Sequence, residues 1–532
     1  MAQDAKTFDY VIIGAGPAGL QLGYCLQQAG RDYVILEAGE GAGTFFEKFP
    51  RHRQLISSNK VYTGYDRTEV NLRFDWNSLL SDDEELLYKN YSTEYFPPAD
   101  TMVTYLRDYA GRLGLNVVYN ARVSRVARDG RDGDFRLETA DGGVYAGKRL
   151  IAATGVSRPN IPDVPGIEYT ENYMDMSLDR SEFINQRVLV LGKGNSAFET
   201  ADHLIPVAAV IHVCSPRPLS LAWKTHFVGH LRAVNNNFLD TYQLKTQNAV
   251  LDAEVVRIER REDGKLEVFL HYTHAQQETQ SIVYDRVLVC TGFRFDASIF
   301  DEDCRPALVI HDRFPDQTSA WESTNVKDLY IAGTLMQMRD FKKITSGFIH
   351  GFRYNVRTLH RILEERYHGE AWPSRAVELT PEGLTGAVID RINETSALWQ
   401  MFGFLGDVFV VEGDQIRHYE EMSVDHVHDT AIGQNEHYYI LTLEFGKITG
   451  DPFNIQRYPE PARANESAFL HPVLRRFRGS ELISEHHILE HLFGEWWDDE
   501  LHVQPLLAYF RQDMGAPMPA GLGSVSMPMT GV

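Results

Sequence analysis

One local pattern occurs twice in this chain and constrains its fold more than any other feature. The stretches "YVIIGAGPAGLQLGY" (10–24) and "VLVLGKGNSAFETADHL" (188–204) each run from an apolar strand through a glycine turn into a helix. A βαβ unit holds a dinucleotide with this local structure. Strand and helix patterns alternate as far as residue 370. We therefore predict an α/β fold with two Rossmann-like dinucleotide-binding domains, followed by an α+β C-terminal domain.

The first motif carries the full set of features for a bound dinucleotide. Gly14 permits the tight turn, Gly16 lets the backbone approach a pyrophosphate, and Gly19 allows the helix to pack closely on the strand. The pyrophosphate then meets free N–H groups and the positive end of the helix dipole. The next strand, "YVILEA", ends in Glu37, which is placed to accept hydroxyl groups of an adenosine ribose. The pattern predicts a permanently bound FAD.

The second motif differs from the first at the end of the following strand. Gly192 and Gly194 are followed by Ala197, a small residue that also fits the third position. The strand "AVIHVCSPR" carries no acid at its end and leads instead to Ser215 and Arg217. An arginine there suits the 2′-phosphate of NADPH, whereas an acid would suit NADH. We therefore predict NADPH at this second site.

The order of the remaining strands predicts how the domains are divided. Two similar strand ends, "RLIAATGVSRPNIP" and "RVLVCTGFRFD", mark the places where the chain crosses between the dinucleotide domains. The character of the sequence changes near Trp372 and Pro373. The predicted parts are an FAD-binding domain of two segments (1–162 and 284–370), an NADPH-binding domain (163–283), a C-terminal cap or interaction domain (371–512) and a disordered tail (513–532).

Two sites in one chain imply that electrons pass from NADPH to FAD, and the cysteines bear on where they go next. The four cysteines are far apart and include no C-x-x-C pair. Reduction of a thiol partner is therefore disfavoured, and a cytoplasmic protein with reduced thiols is expected. The other outcome for this layout is reaction of the reduced flavin with oxygen in a pocket that excludes water.

The segment after the first motif resembles class B flavin-dependent monooxygenases. "GAGTFFEKFP" followed by "LISSNK" is similar to the glycine-Thr-aromatic loop and the Ser/Asn segment of that family. The resemblance implies that Asn59, with Ser57 and Ser58 beside it, contacts the C4a region of the flavin and the nicotinamide. It also implies oxygen transfer through a C4a-(hydro)peroxyflavin to a soft nucleophile, with N-hydroxylation of an amine expected first.

A wider resemblance covers nearly the whole chain. "NLRFDWNSLL", "THFVGHLRAVNNNFLDTYQLK", "GFIHGFRYNVR" and "FLHPVLRRF" resemble the FAD-dependent oxidoreductase-domain proteins of the animal endoplasmic reticulum. Since "MAQDAKTFDY" lacks the shape of a signal peptide, a cytoplasmic microbial relative is expected. The linker "VPGIEYTENYMDMS" keeps Gly166 and Tyr173 but lacks the phenylalanine and histidine of the monooxygenase pattern.

These arguments define the predicted site residues. The predicted catalytic residues are Asn59 and Ser58. The predicted FAD-binding residues are Gly14, Gly16, Pro17, Ala18, Gly19, Glu37, Ala38, Thr44, Phe45, Ser57, Val123, Ala153, Thr154, Gly155, Gly333 and Phe348. The predicted NADPH-binding residues are Gly192, Gly194, Asn195, Ser196, Ala197, Glu199, Ser215 and Arg217.

Other polar clusters are given plainer interpretations. "DHVHD" (425–429), taken as a strand, and His487 with His491, taken as one helix face, are read as packing or surface groups, so no metal is predicted. For Arg339, Lys342 and Lys343 three readings stay open: an acidic substrate, the FAD phosphates or a solvated loop.

The overall charge limits the partners. A formal charge of -22 argues against nucleic acid, and no apolar run reaches the length of a membrane span. The expected partners are a small-molecule substrate and O2, and a homo-oligomer stays open. Two alternatives also stay open: an NADPH oxidase or dehydrogenase with a non-thiol acceptor, and a flavin-bearing interaction protein with little turnover.

Overall fold

The chain divides into two compact units. The computed structural model describes residues 5–128, 130, 132–245, 248–448 and 450–515. Unit 1 comprises Met1–Val61 and Asp75–Val356, and unit 2 comprises Tyr62–Phe74 and Arg357–Val532. The division between the units, after Val356, falls inside the helix Ile349–His368. It is earlier in the chain than the predicted boundary at residue 371.

Unit 1 begins with a mixed sheet built around the first glycine motif. Its parallel part places Lys6–Ile13 between Tyr33–Leu36 and Val144–Ala152, and Leu329–Ile331 joins the far side of Val144–Ala152. The remaining strands of this sheet are Val117–Val118, Val123–Arg128 and Phe135–Thr139. The chain therefore returns to this sheet at residue 329, after it has passed through the second glycine motif.

A second parallel sheet of unit 1 surrounds the second glycine motif. Its strand order is Ala249–Asp252, Val210–Ser215, Arg187–Leu191, Arg286–Val289 and Glu171–Asn172. The strand Arg286–Val289 lies outside the predicted range 163–283, yet it pairs with Arg187–Leu191. An antiparallel sheet accompanies it, with strands Glu254–Arg260, Leu266–Tyr272 and Glu278–Tyr284.

Helices and buried apolar side chains complete unit 1. The two motif helices are Pro17–Gln28 and Asn195–Leu204. The other main helices are Thr44–Lys48, Ala99–Arg112, Ala222–Thr225 and Asn237–Lys245. Each sheet has a buried core, with Val11, Leu150 and Ile331 in the first and Val188, Val190 and Leu288 in the second. Burial of branched side chains on such strands is the main stabilising contribution.

Unit 2 is an antiparallel α+β unit, as predicted for the C-terminal part of the chain. Its six strands, in sheet order, are Ser374–Glu378, Gln415–Ser423, Leu405–Glu412, Tyr438–Phe445, Leu470–Arg478 and Glu481–His487. Its helices include Thr68–Asn71, Pro381–Glu394, Ala397–Gln400, Val424–Asp429 and Gln504–Asp513. The segment Tyr62–Phe74 belongs to unit 2, because Arg73 donates hydrogen bonds to Thr395 O and Ile392 O.

Two local predictions in unit 2 are wrong, and a third falls mostly outside the described residues. "DHVHD" is a short helix rather than a strand, so its histidines do not alternate along a sheet. His487 ends a strand, and His491 follows it without a shared helix. The predicted tail 513–532 lies outside the described residues from 516 onward, while Asp513 ends a helix.

Among the described residues, no helix combines the length and the apolar character that crossing a membrane requires.

Candidate functional site

The first glycine turn has the shape of a pyrophosphate cradle. Gly14 has φ +106°, and a Cβ there would lie 2.8 Å from Ala153 O. A Cβ at Gly19 would lie 2.0 Å from Gly14 O, so the helix and the turn could not pack together. A Cβ at Gly16, by contrast, would meet nothing within 4 Å. The open side of the turn lies over the N-terminus of the helix Pro17–Gln28, where an anion is stabilised.

Glu37 is buried at the end of the neighbouring strand and braces this turn. Its Oε2 accepts a 2.7 Å hydrogen bond from Ala15 N, and its Oε1 accepts from Gly39 N at 2.8 Å and from Thr44 Oγ1 at 3.1 Å. An ionised carboxylate offers about four acceptor positions. Glu37 therefore keeps capacity for a ribose hydroxyl while it fixes Thr44 and the turn.

Some of the other predicted FAD-binding residues lie beside the first glycine turn and its helix, and others lie elsewhere. Ala153 N donates to Ile13 O, which places the Thr154–Gly155 turn beside Gly14. Gly333 has φ +78°, and a Cβ there would lie 2.6 Å from Ala18 Cβ. Val123 begins a strand just beyond Ala121, whose N–H donates to Glu37 O. Phe45 is half-exposed and packs on Phe49. Phe348 lies next to the helix Ile349–His368 and against the ring of Phe227.

The second glycine turn repeats the geometry of the first. Gly192 has φ +120°, and a Cβ there would lie 2.3 Å from Cys290 O. A Cβ at Gly194 would meet nothing within 4 Å, and Ala197 is fully buried. The helix Asn195–Leu204 begins here. The chain therefore contains two helix N-termini that are each shaped to receive a pyrophosphate.

A lysine inside the second turn fixes the strand end that was predicted to select NADPH. Lys193 Nζ donates to Ser215 O and to Arg217 O, both at 3.0 Å, and pairs with Asp252. Ser215 Oγ donates to Arg217 O at 3.2 Å. These bonds hold the Arg217 backbone, while its side chain is exposed. Lys193 is not among the predicted site residues, although its place between two motif glycines could have suggested it.

Two further cations lie near Arg217. The guanidinium of Arg313 contacts the rings of Phe314 and Phe341, and Lys342 Nζ lies 5.4 Å from the centre of the Phe341 ring. The carbonyl of Cys290 lies against the second glycine turn, and Gly292 follows shortly after it in the chain. A Cβ at Gly292 would lie 3.4 Å from Arg313 Nη2. Burial lowers the pKa of Lys342, and the charges of Arg217 and Arg313 lower it further. We call Arg217, Arg313 and Lys342 the phosphate-side cations.

The structure shows which contacts the predicted catalytic segment makes. Asn59 is buried, and its Nδ2 donates to Ser92 O at 2.7 Å and to Glu94 O at 3.3 Å. Ser57 Oγ donates to Asn77 Oδ1. Ser58 Oγ accepts a hydrogen bond from Arg232 at 3.2 Å. Asn59 thus holds the backbone of residues 92–94, and its contact with the flavin stays a proposal.

The predicted NADPH-binding residues of the second helix have different roles. Asn195 Oδ1 accepts from Arg232 N at 3.0 Å, and its Nδ2 donates to His230 O at 2.8 Å. Glu199 is buried and accepts a hydrogen bond from Tyr173. Burial raises the pKa of Glu199 to about 7. Asn195 therefore holds a neighbouring segment of the chain, while Glu199 faces the linker rather than the open side of the turn.

The thiols do not form a redox pair. None of the four cysteines, all of which lie within the described residues, forms a disulfide bond. Cys214 and Cys290 are buried, and burial raises the pKa of the Cys290 thiol to about 12. A thiol with a raised pKa is a poor nucleophile. This agrees with the interpretation that electrons do not leave through a dithiol.

One group in unit 2 has the composition of a metal site. Ligand atoms of Asp407, His418 and Glu420 lie within 4.8 Å of one another. However, Asp407 Oδ2 already accepts hydrogen bonds from Arg391 Nε at 2.6 Å and His418 Nε2 at 2.7 Å. The Arg391 and His418 contacts hold the pKa of the Asp407 carboxyl well below its usual range. The guanidinium supplies the positive charge that a metal would bring, so this group is a buried ion-pair network with its charges already paired.

The fold and the two open glycine turns define a two-dinucleotide-binding flavoprotein, a class of enzymes whose cofactors are FAD and NADPH. Residues 11–333 match the family described as pyridine nucleotide-disulphide oxidoreductase, and the chain belongs to this family. The predicted fold class and the assignment as an oxidoreductase are thereby confirmed.

Individual relatives agree with this family. FAD-dependent oxidoreductase domain-containing protein 2 of Mus musculus is 38% identical over 552 residues, which cover 94% of this chain and 83% of the mouse protein. Probable indole-3-pyruvate monooxygenase YUCCA4 of Arabidopsis thaliana is 29% identical over 207 residues, 38% of this chain and 46% of the plant protein. A flavin-containing monooxygenase from Stenotrophomonas maltophilia shares the fold, with a TM-score of 0.51 at 19% identity over 67% of this chain and 98% of that one.

Proposed function

We propose that this protein is an FAD-dependent, NADPH-using monooxygenase that transfers one oxygen atom from O2 to a small nucleophilic substrate. An amine nitrogen is the acceptor we favour. The observation that carries the proposal is the pair of open glycine turns in one compact unit, of which the second has cations beside it. Such a pair serves one resident redox cofactor and one that delivers hydride.

The residues of the first turn hold the resident cofactor. The helix N-terminus at Gly16 binds the FAD pyrophosphate, and Glu37 accepts a ribose hydroxyl. Bound FAD supplies the hydride acceptor and the reactivity toward O2. Asn59 and Ser58 position the polar edge of this site, because Asn59 fixes residues 92–94 and Ser58 fixes the guanidinium of Arg232.

The residues of the second turn hold NADPH. The helix N-terminus at Gly194 binds its pyrophosphate, and Arg217 binds the 2′-phosphate. Lys193 keeps the Arg217 backbone in place. Arg313 and Lys342 add positive charge close to Arg217, which favours a cofactor with an additional phosphate. The Lys342 side chain is exposed, and this assignment to NADPH differs from the three readings that were left open for its segment.

Support for oxygen chemistry comes from the thiols and from the relatives. A reductase of this class that acts on disulfides needs a reactive dithiol, and the four thiols of this chain are separate. The plant relatives carry the name indole-3-pyruvate monooxygenase. We also propose a cytoplasmic location in a microbial host, where the four cysteines stay reduced. Cell fractionation tests the location.

The experiment that tests the function measures how tightly NADPH oxidation is coupled to oxygenation of a substrate. The purified holoenzyme is mixed with NADPH without oxygen, and flavin absorbance is followed. Oxygen is then admitted together with members of an amine panel, and NADPH consumed, H2O2 released and oxygenated product are quantified. We expect complete flavin reduction by NADPH, slower reduction by NADH, and product formed in place of H2O2 with at least one amine.

Other outcomes identify the alternatives. Fast reduction with all electrons recovered as H2O2, or in an added non-thiol acceptor, would establish an oxidase or dehydrogenase. FAD that NADPH does not reduce would favour a flavin-bearing interaction protein. The variant Asn59→Ala separates the roles of that residue: retained FAD with more H2O2 per NADPH supports its proposed place beside the flavin.

A further inference from the structure

Arg232 is a largely buried cation that is held in place by neutral groups. Its Nη2 donates to Ser58 Oγ at 3.2 Å, and its guanidinium lies over the rings of Trp76 at 4.8 Å and Phe96 at 6.0 Å. Its backbone N–H donates to Asn195 Oδ1. The side chain therefore extends from the helix start at the second glycine turn toward the segment that contains Ser58.

Arg232 has no carboxylate partner among the described residues. Burial lowers its pKa, and the phenol of Tyr95 opposes this shift only in part. The chain has 74 acidic and 52 basic residues, so acidic partners are abundant elsewhere. A buried charge without a counter-ion costs free energy. Ser58 occupies one donor, and the other guanidinium nitrogens remain within reach of solvent.

A second side chain that stacks on the Trp76 ring, His350, lacks hydrogen-bond partners. His350 is 1% exposed, and neither of its ring nitrogens has a hydrogen-bond partner. Its ring stacks on Trp76, with centres 4.3 Å apart, and on Phe348 at 5.9 Å. Burial and the charges of Arg353 and Arg232 hold the pKa of His350 well below its usual range. A neutral imidazole offers one donor and one acceptor, and both are unused here.

We propose that Arg232 binds the carboxylate of the substrate, with Trp76, Phe96 and Phe348 packing against an aromatic or apolar body and His350 contacting a polar group of the bound complex. The substrate class is then a small carboxylic acid that also carries the nucleophilic atom, such as an aromatic amino acid. This inference rests on the proposed function, because it assigns the substrate side of that same site.

The phosphates of the two nucleotides have other cations and helix ends. The first and second glycine turns each present an open helix N-terminus, and the phosphate-side cations lie near the second. Arg232 instead contacts Ser58, Trp76 and Phe96. Binding of NADP⁺ and binding of an acid therefore depend on different residues, and the test measures both.

The test uses the oxidised holoenzyme without NADPH, so that turnover does not enter the result. Phenylalanine and 2-phenylethylamine differ by a carboxylate, and phenylpyruvate adds a purely anionic acid. Each is titrated while the FAD absorbance spectrum is recorded, and NADP⁺ is titrated separately. The variants are Arg232→Gln, Arg232→Lys and the control Arg257→Gln, which changes an exposed arginine paired with Glu259 on the strand Glu254–Arg260.

In the wild type and in Arg257→Gln we expect the two acids to bind more tightly than 2-phenylethylamine. Arg232→Gln raises the Kd of the acids by about 10- to 100-fold, as expected for a hydrogen-bonded charge pair. Arg232→Lys recovers part of that loss, and the Kd of NADP⁺ changes by less than about twofold.

Three results would overturn the inference. The first is that neither acid perturbs the wild-type flavin spectrum more than the amine does. The second is that Arg232→Gln leaves acid binding unchanged. The third is that Arg232→Gln weakens the binding of NADP⁺ in place of the acids, which would assign Arg232 to the nucleotide. Failure of the proposed function is a different observation, since uncoupled H2O2 production leaves the spectral titration of the acids intact.

Discussion

Glu199 shows how a single residue of the second motif helix depends on its surroundings. It is buried beside Tyr173, which donates a hydrogen bond to it. Tyr173 in turn accepts from Arg51 N at 3.0 Å, and Arg51 donates to Met174 O and Met176 O. The carboxyl thus lies where the linker, the motif helix and the segment after Phe49 meet.

The buried carboxyl predicts a pH-dependent stability. In the unfolded chain Glu199 ionises near its ordinary pKa of 4.5, whereas in the fold it keeps its proton up to about pH 7. Between these values the folded state holds the extra proton, so wild-type stability falls as pH rises. We expect Glu199→Gln to match the wild type near pH 4 and to be more stable near pH 8, by up to about 3 kcal/mol.

Urea unfolding at the two pH values measures the difference. Glu262→Gln, which changes an exposed glutamate, serves as the control and leaves the pH dependence of stability unchanged. A stability difference between Glu199→Gln and the wild type that is the same at both pH values would contradict the raised pKa of this carboxyl.

At the scale of elements, the two glycine turns permit a matched pair of substitutions. Gly16 and Gly194 have φ of -76° and -91°, which a branched residue can adopt, and a Cβ at either meets nothing within 4 Å. A valine side chain fills the space over the helix N-terminus. We expect Gly16→Val to purify without FAD, and Gly194→Val to keep FAD while the Kd of NADP⁺ rises more than about tenfold.

Flavin content by absorbance and NADP⁺ titration check this pair. Each variant serves as the control of the other, since both should give the same far-ultraviolet circular dichroism as the wild type. Loss of FAD from Gly194→Val, or its retention in Gly16→Val, would contradict the assignment of the two turns.

The elements also show why some features were predictable from sequence and others were not. The two turns could be predicted because their requirements are local: Gly14 and Gly192 need positive φ within a few residues of a strand end. Arg313 and Lys342 reach Arg217 from positions about 100 residues further along the chain, so no local pattern shows them. His487 and His491 are four apart, which fits a helix, but cross-strand pairing with Leu470–Arg478 makes Glu481–His487 a strand.

At the scale of the whole molecule, both cofactor turns belong to unit 1. A ligand that binds only the folded state stabilises the elements that it requires. We expect FAD to slow amide hydrogen exchange in Lys6–Ile13, Pro17–Gln28 and Tyr33–Leu36, while exchange in the unit 2 strand Tyr438–Phe445 stays unchanged. Mass spectrometry of apo and FAD-loaded protein makes the comparison. Equal protection of both units would show that they unfold as one cooperative body.

The side chain of Asn195 has a consequence for changing this protein by design. It is the first residue of the helix at the second glycine turn, and it also bonds to the backbone of His230 and Arg232. The segment around Arg232 is therefore not an exchangeable module. A library that varies residues 229–235 to alter substrate preference would also select on nicotinamide affinity, so screening for both traits together is the sound strategy.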